Sequence, residues 1–254
     1  MVRVAALGDF GTGDQFQARV ARALCDHLTN EPFTHVATTG DNIYPFGDPR
    51  DFEPNFFEPY ECLFDQGVRW HASLGNHDAF TGGGQAEVDE PAFGMKDAYY
   101  SWRLGPLAFV MLDSNDFDDF QLEWLDGALD EAKVAPWTIV VFHHPVYGAG
   151  LRHGSTPGFE EMLASTFATS GVDLVLNGHD HLYTRATNRD VTYLVTGGGG
   201  ATLDVCRIPL PDPINECFSA LHYVVIEATR SALTATAIMD TGKVIETVEI
   251  LPND

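Results

Sequence analysis

Val2-Arg3-Val4-Ala5-Ala6-Leu7-Gly8-Asp9-Phe10-Gly11 opens the chain with an apolar run that stops on a glycine and an aspartate. Such a run reads as a buried strand. Asp14, a residue suited to a helix N-cap, precedes an amphipathic segment over 15–28, which makes this the first strand and helix of a repeating pattern. Apolar runs follow at 35–39, 68–74, 107–112, 137–142, 172–176 and 192–196, with helical segments expected over 120–133 and 158–169. This alternation is that of an α/β protein. Beyond residue 220 the pattern changes to strands without helices, over 222–228, 232–239 and 244–251, with turns at Thr229-Arg230 and Thr241-Gly242. These predict an antiparallel addition to the sheet. The Gly-, Pro- and acid-rich stretches 45–55, 80–94 and 203–217 read as loops, not linkers.

The 254 residues, 44% hydrophobic and 20% charged, fit one globular domain spanning 1–254. A net charge of −23 repels a phosphate backbone and excludes nucleic acid as a groove-bound partner. No apolar stretch approaches the roughly 18–20 residues that cross a bilayer, so no membrane partner is expected. The first ten residues lack a signal-peptide core, so the expectation is a cytoplasmic protein unless an export signal was trimmed. Cys25, Cys62, Cys206 and Cys217 show no metal-type spacing and do not fix the redox compartment. Cys206 and Cys217 flank a Pro-rich loop, and the sequence leaves open whether they are bridged.

Function is written at the strand ends. Gly8-Asp9, Gly40-Asp41, Gly75-Asn76-His77-Asp78, His143-His144 and Gly178-His179-Asp180-His181 each follow an apolar run. In α/β sheets the carboxyl ends of strands converge on ligands. Singly, each has a bland reading: Gly-Asp as a turn, Asn76 as an Asx turn, His143 as a satisfied core histidine. All together at strand ends, they point to one site. In an extended segment His179 and His181 face one side and Asp180 the other, whereas only one of the adjacent His143 and His144 can ligate.

Asp9, Asp41, Asn76, His143, His179 and His181 offer too many oxygen and nitrogen donors for one four-coordinate zinc. They suit two adjacent ions sharing a carboxylate, with Asp41 as the natural bridge. Tyr44, three residues after Asp41, can reach the same place. A ligating tyrosine must be a phenolate, which favours ferric iron, unless the ring simply packs under the Pro-Phe-Gly loop.

This set resembles the calcineurin-like metallophosphoesterases and, within them, the purple acid phosphatases of small, single-domain type. The carrying motifs are Gly8-Asp9-Phe10-Gly11, Gly40-Asp41-Asn42-Ile43-Tyr44, Gly75-Asn76-His77-Asp78, Val140-Val141-Phe142-His143 and Gly178-His179-Asp180-His181, in the family's order. Gly11 stands where ordinary members carry a histidine, and Tyr44 replaces the lost imidazole, as in purple acid phosphatases.

The resemblance implies a four-layer αββα sandwich of two mixed β-sheets. It assigns Asp9, Asp41, Tyr44 and His181 to Fe(III), and Asp41, Asn76, His143 and His179 to a divalent Fe, Zn or Mn. It implies a phosphatase that hydrolyses phosphate monoesters of a small phosphorylated substrate by attack of a metal-bound hydroxide. The ions bring more positive charge than Asp9, Asp41 and Tyr44 return, so the pocket can take an anion within an acidic protein. His77 and, after a one-residue insertion, His153 match the family's substrate-facing, proton-donating positions, and His144 is expected toward the pocket. The overhanging loop of mammalian members is reduced to 115–119, implying a more open site. Gly197–Gly200 lacks a following Lys-Ser/Thr and reads as a tight strand exit, not a P-loop. Two other readings stand: a phosphodiesterase or nucleotide hydrolase of the same superfamily using Mn or Zn, and a scaffold that binds without catalysis.

Overall fold

The computed structural model describes residues 1–252. Its first half contains β1 (Val2–Leu7), α1 (Gln15–Asn30), β2 (His35–Thr38), α2 (Glu61–Asp65), β3 (Arg69–His71), α3 (Asn76–Ala79), α4 (Gln85–Asp89), β4 (Tyr100–Leu104), β5 (Leu107–Met111) and α5 (Asp119–Ala132). There follow β6 (Trp137–Val141), α6 (Ser165–Thr169), β7 (Leu174–Asn177), β8 (Tyr183–Asn188), β9 (Val191–Thr196), β10 (Ile214–Phe218), β11 (His222–Ala228), β12 (Leu233–Met239) and β13 (Val244–Ile250).

The strands form two mixed sheets, ordered β13-β12-β11-β1-β2-β3 and β10-β8-β9-β7-β6-β5-β4. In the first, β1, β2 and β3 run parallel and β11 joins β1 antiparallel. In the second, β5, β6, β7 and β9 are parallel. The strand periodicity of two explains the layering. Leu107, Phe109 and Met111 of β5 join the core shared with β1, β2 and α1, while Ala108 and Val110 pack with Leu125 and Leu129 of α5 and Phe167 of α6. The second sheet is therefore covered on both faces, and its parallel strands β5, β6, β7 and β9 read as near-continuous apolar runs. The expected αββα sandwich is what forms.

Local signals account for the main helices. The Asp14 carboxylate accepts the Phe16 and Gln17 amides at the start of α1, and Asp118 accepts the Gln121 amide at the start of α5. Several expectations are corrected. The 68–74 run pairs only over Arg69–His71, because the next residues turn off the sheet and the Ala72 amide goes to the Phe93 carbonyl. The helix over 158–169 divides into a wide π turn, Glu160–Ala164, and α6. Stretches 45–55 and 80–94 hold short helical turns, among them Glu53–Phe57 and α4. Within the expected loop 203–217, β10 pairs β8 as an edge strand, with a bulge that breaks its alternation. β4 and β8 lie outside the apolar runs that marked strands in the sequence.

All four cysteines are bridged, Cys25 to Cys62 and Cys206 to Cys217. The first ties α1 to α2 and the second holds the segment before β10 against that strand. The two sheets meet where their parallel strands end: the Gly8 amide after β1 donates to the Thr196 carbonyl of β9 at 2.9 Å.

Candidate metal centre

Three of the strand ends deliver their side chains by a sharp backbone turn. Among the described residues five non-glycine positions have positive φ, and three of them are Asp9 (58°), Asp41 (52°) and His179 (69°). Left-handed backbone costs a residue with a Cβ on the order of 1–3 kcal/mol and clusters at functional sites. Here it folds three strand ends inward over one point. His179 and His181 thus reach the site by a left-handed turn, not by the extended register expected from sequence. Asp180 faces away as expected. Gly197–Gly200 is the tight exit from β9: a Cβ on Gly199 would stand 2.4 Å from the Gly8 carbonyl oxygen, and the Ala201 amide bonds the Asp9 carbonyl at 2.8 Å.

Two donor groups result. In the first, the Tyr44 hydroxyl lies 2.9 Å from Asp41 Oδ2, 3.4 Å from Asp9 Oδ1 and 3.2 Å from His181 Nε2. In the second, His143 Nε2 lies 3.0 Å from Asn76 Oδ1 and 3.2 Å from His179 Nδ1. Asp41 touches both: Oδ2 faces Tyr44, and Oδ1 lies 3.5 Å from His143 Nε2 while accepting the His77 amide at 2.8 Å. Backbone carbonyls fix the imidazoles, since a carbonyl can only accept. His143 Nδ1 donates to Thr39 and His181 Nδ1 donates to Thr202, each at 2.8 Å, so both Nε2 atoms are aimed at the centre, that of His143 as a lone pair and that of His181 as the nitrogen whose proton a metal ion would displace.

Electrostatics support cations in both places. Asp9 and Asp41 are buried, and among the described residues neither carboxylate meets a Lys or Arg side chain. Burial pushes Asp9 up to about 7, partly offset by His181. Burial and the Asp9 and Asp41 charges push the Tyr44 phenol well above its ordinary value. Burial opposes a charge on His181, but the hydrogen bond and attraction to Asp9 outweigh it and raise the group to about 9. Burial and then the His143 ring press His179 down to about 2. Burial, followed by His144, holds His143 well below its usual value. Neutral imidazoles at His143 and His179, with two buried carboxylates that have no Lys or Arg beside them and only the proton of His181 as counter-charge, are a donor set that metal ions complete. The residues therefore fit two ions.

The histidines expected to face substrate also arrive here. His77 Nδ1 bonds the Pro45 carbonyl at 2.7 Å, and its ring centroid is 4.4 Å from that of Tyr44. The His153 ring centroid is 4.0 Å from His179, so the inserted residue does not displace it. His143 and His144 were expected on opposite sides, yet a donor nitrogen from each, together with one from His179, falls within 4.8 Å of the others. The chain has left the sheet at Phe142, which removes the strand alternation that expectation assumed.

Sequence reasoning missed the residues behind these. Ser114 Oγ accepts the His144 amide and lies 2.8 Å from its Nδ1. The buried Asp78 accepts the Gly75, Asn42 and Ile43 amides, and Asn42 Nδ2 bridges to the buried Glu87 at 2.9 Å. Asp78 stood in a quoted motif, but nothing in the sequence joined Glu87, 45 residues from Asn42, to it.

Residues 2–183 match the calcineurin-like phosphoesterase family model. Purple acid phosphatase 17 of Arabidopsis thaliana is 28% identical over 235 residues, covering 76% of this chain and 67% of that protein. Tartrate-resistant acid phosphatase type 5 of Mus musculus is 26% identical over 239 residues, covering 78% and 72%. Among solved structures, yellow lupin purple acid phosphatase PPD1 superposes with a TM-score of 0.85 at 18% identity, over 98% of this chain and 53% of that one. GAP50 of Plasmodium, described as the anchor in the inner membrane complex, gives 0.86 at 20% identity over 99% and 89%. These two establish likeness of fold. Metallophosphoesterases of this kind use a dimetal centre. The chain belongs to the calcineurin-like phosphoesterase family and is of purple acid phosphatase type.

Proposed function

We propose that the chain hydrolyses small phosphate monoesters with two metal ions. One is Fe(III), held by Asp9, Asp41, Tyr44 and His181, and the other is a divalent Fe, Zn or Mn, held by Asp41, Asn76, His143 and His179. The observation that carries this reading is the division of Asp41, one oxygen toward Tyr44 and the other toward His143. A shared carboxylate is what two adjacent ions require. Tyr44 argues for the trivalent ion: burial beside two carboxylates resists phenolate so strongly that a highly charged cation is needed to hold it.

When bound, such ions polarise a phosphoryl group and make water a nucleophile at neutral pH. The surrounding side chains do the rest. His77, His144 and His153 face the phosphoryl oxygens. The Nδ1 proton of His77 is committed to the Pro45 carbonyl, so its imidazolium donates from Nε2 to the departing alkoxide. Ser114 fixes the His144 ring through Nδ1, leaving Nε2 for the substrate. Two disulfides favour an oxidising compartment as the place of work, against the cytoplasmic expectation.

Metal analysis with a visible spectrum tests the reading. Two ions per chain, one of them iron, and a purple to pink band that Tyr44→Phe abolishes are expected. A colourless protein fully active on zinc or manganese alone removes the ferric assignment. Phenyl phosphate should be turned over far faster than diphenyl phosphate, and the reverse order would favour the diesterase alternative.

A further inference from the structure

Beside His77 two phenylalanines stand largely in water. Phe46 is 59% exposed and Phe80 is 62% exposed. Their ring centroids lie 6.1 Å apart at 67°, and Phe80 meets the His77 ring edge-on at 5.4 Å. His77 in turn contacts Tyr44, so the rings lie in the order Tyr44, His77, Phe80, Phe46, leading outward from the metal centre. Scattered exposed apolar side chains are ordinary. Two aromatic rings paired next to a histidine that faces substrate are not scattered.

The pair is also fixed in place. Phe46 lies in the turn after Tyr44, whose Pro45 carbonyl holds His77 Nδ1. The next residue, Gly47, has φ +63°, and a Cβ there would stand 2.3 Å from the Asp78 carbonyl oxygen. The Phe46 turn is therefore pressed against the α3 backbone, two residues before Phe80.

We propose that Phe46 and Phe80 form a subsite for an aromatic ring carried by the leaving group of the phosphate ester, which makes aryl-bearing monoesters the preferred substrate class. This rests on the monoesterase reading above. With the phosphoryl group held at His77, the ester oxygen points outward, and the next flat group along the substrate meets Phe80 and then Phe46. Rings set at a tilt accept a third ring by stacking on one and meeting the edge of the other. The chain's charge of −23 disfavours a second anionic group in that role, so an uncharged ring is the chemistry that fits.

The test compares 2-phenylethyl phosphate with butyl phosphate, both of which release a primary alkoxide, so the bond-breaking step is matched. Binding of 2-phenylethylphosphonate and butylphosphonate to the metal-loaded protein is measured in parallel by calorimetry. The aromatic member of each pair should be favoured by about tenfold in kcat/KM and in affinity. The ratio should fall to within about threefold in Phe46→Ala/Phe80→Ala and persist in Phe80→Tyr, as expected if ring stacking carries it. Equal binding of the two phosphonates, or a preference that survives the double substitution, overturns the subsite. Equal turnover of both esters together with equal binding leaves the monoesterase standing and removes the subsite. Aromatic preference in binding with no turnover of either ester supports the subsite and sinks the monoesterase.

Discussion

Asp180 holds Gly154 by its backbone: the carboxylate Oδ1 accepts the Gly154 amide at 2.9 Å, while Oδ2 takes that of Gly150 at 2.8 Å. The loop between these amides carries His153 over His179. A second brace comes from Asp204, whose Oδ2 accepts the Arg152 amide at 2.9 Å, just before the Cys206–Cys217 bridge. Between two candidate ligands, then, sits an acid that faces the other way and holds the loop that carries His153.

Asp180→Ala strips two buried amides of their acceptor, which costs about 1–3 kcal/mol each by the ordinary penalty for an unpaired group. Urea unfolding should show the loss. The activity of Asp180→Ala should fall to that of His153→Ala, and the double variant should be no worse than either, since both remove one placed imidazole. Metal content measured alongside should remain two ions per chain. A full additional loss in the double variant would show that Asp180 acts elsewhere.

Asp41 should matter more than any terminal donor because both donor groups lean on it. Asp41→Ala is expected to lower occupancy at both positions together and to abolish turnover. Asn76→Ala should empty mainly the divalent position. If Asp41→Ala releases only one ion, as elemental analysis would show, the bridging role is wrong. His143→Ala should lose metal and His144→Ala should keep it, although both rings face the pocket.

That the candidate ligands converge was legible because strand ends followed by Gly-Asp or Gly-His put polar side chains on a few fixed points, and buried parallel strands announce themselves as apolar runs. What was not legible depends on tertiary partners. His144 joined the pocket because the chain leaves the sheet after Val141, a turn that alternation cannot foresee. β8 escaped notice because its Thr184, Arg185 and Asn188 look like loop residues until Glu246 of β13 accepts from Tyr183 and Arg185 across the two sheets. The Cys25–Cys62 bridge spans 37 residues and needs α1 to lie against α2 before the pairing can be seen.

His71 should set part of the response to acid. Its ring stacks on Trp102 at 3.7 Å, and neither nitrogen has a hydrogen-bond partner. Burial, then the His35, Lys96 and Arg69 charges, lower it to about 3. A lowered folded pKa means the unfolded chain binds the extra proton between about 3 and 6.5. Its stabilisation is thus present above pH 6.5 and lost as pH falls, by up to about 1.4 kcal/mol per unit for one proton. Buried His222, pushed down to about 4, acts with the same sign. His71→Phe keeps the stack and removes the proton, so its stability should fall less than the parent's between pH 6.5 and 5. Parallel unfolding curves at the two pH values would refute this.

His77 is proposed to protonate the leaving alkoxide, and the leaving group itself can report whether it does. General acid help contributes about a hundredfold or more when the departing oxygen is strongly basic, and much less for an activated phenol. His77→Asn should therefore damage butyl phosphate hydrolysis far more than nitrophenyl phosphate hydrolysis, with both ions still bound. His153→Ala should act in the same direction but less, because His153 is exposed. The Phe46 and Phe80 rings do not confound the comparison if a second series sets butyl phosphate against trifluoroethyl phosphate, an alkyl ester whose leaving alkoxide is less basic. Equal losses for both esters in His77→Asn would mean that His77 only orients phosphate, and the proton would then have to come from His153, His144 or water.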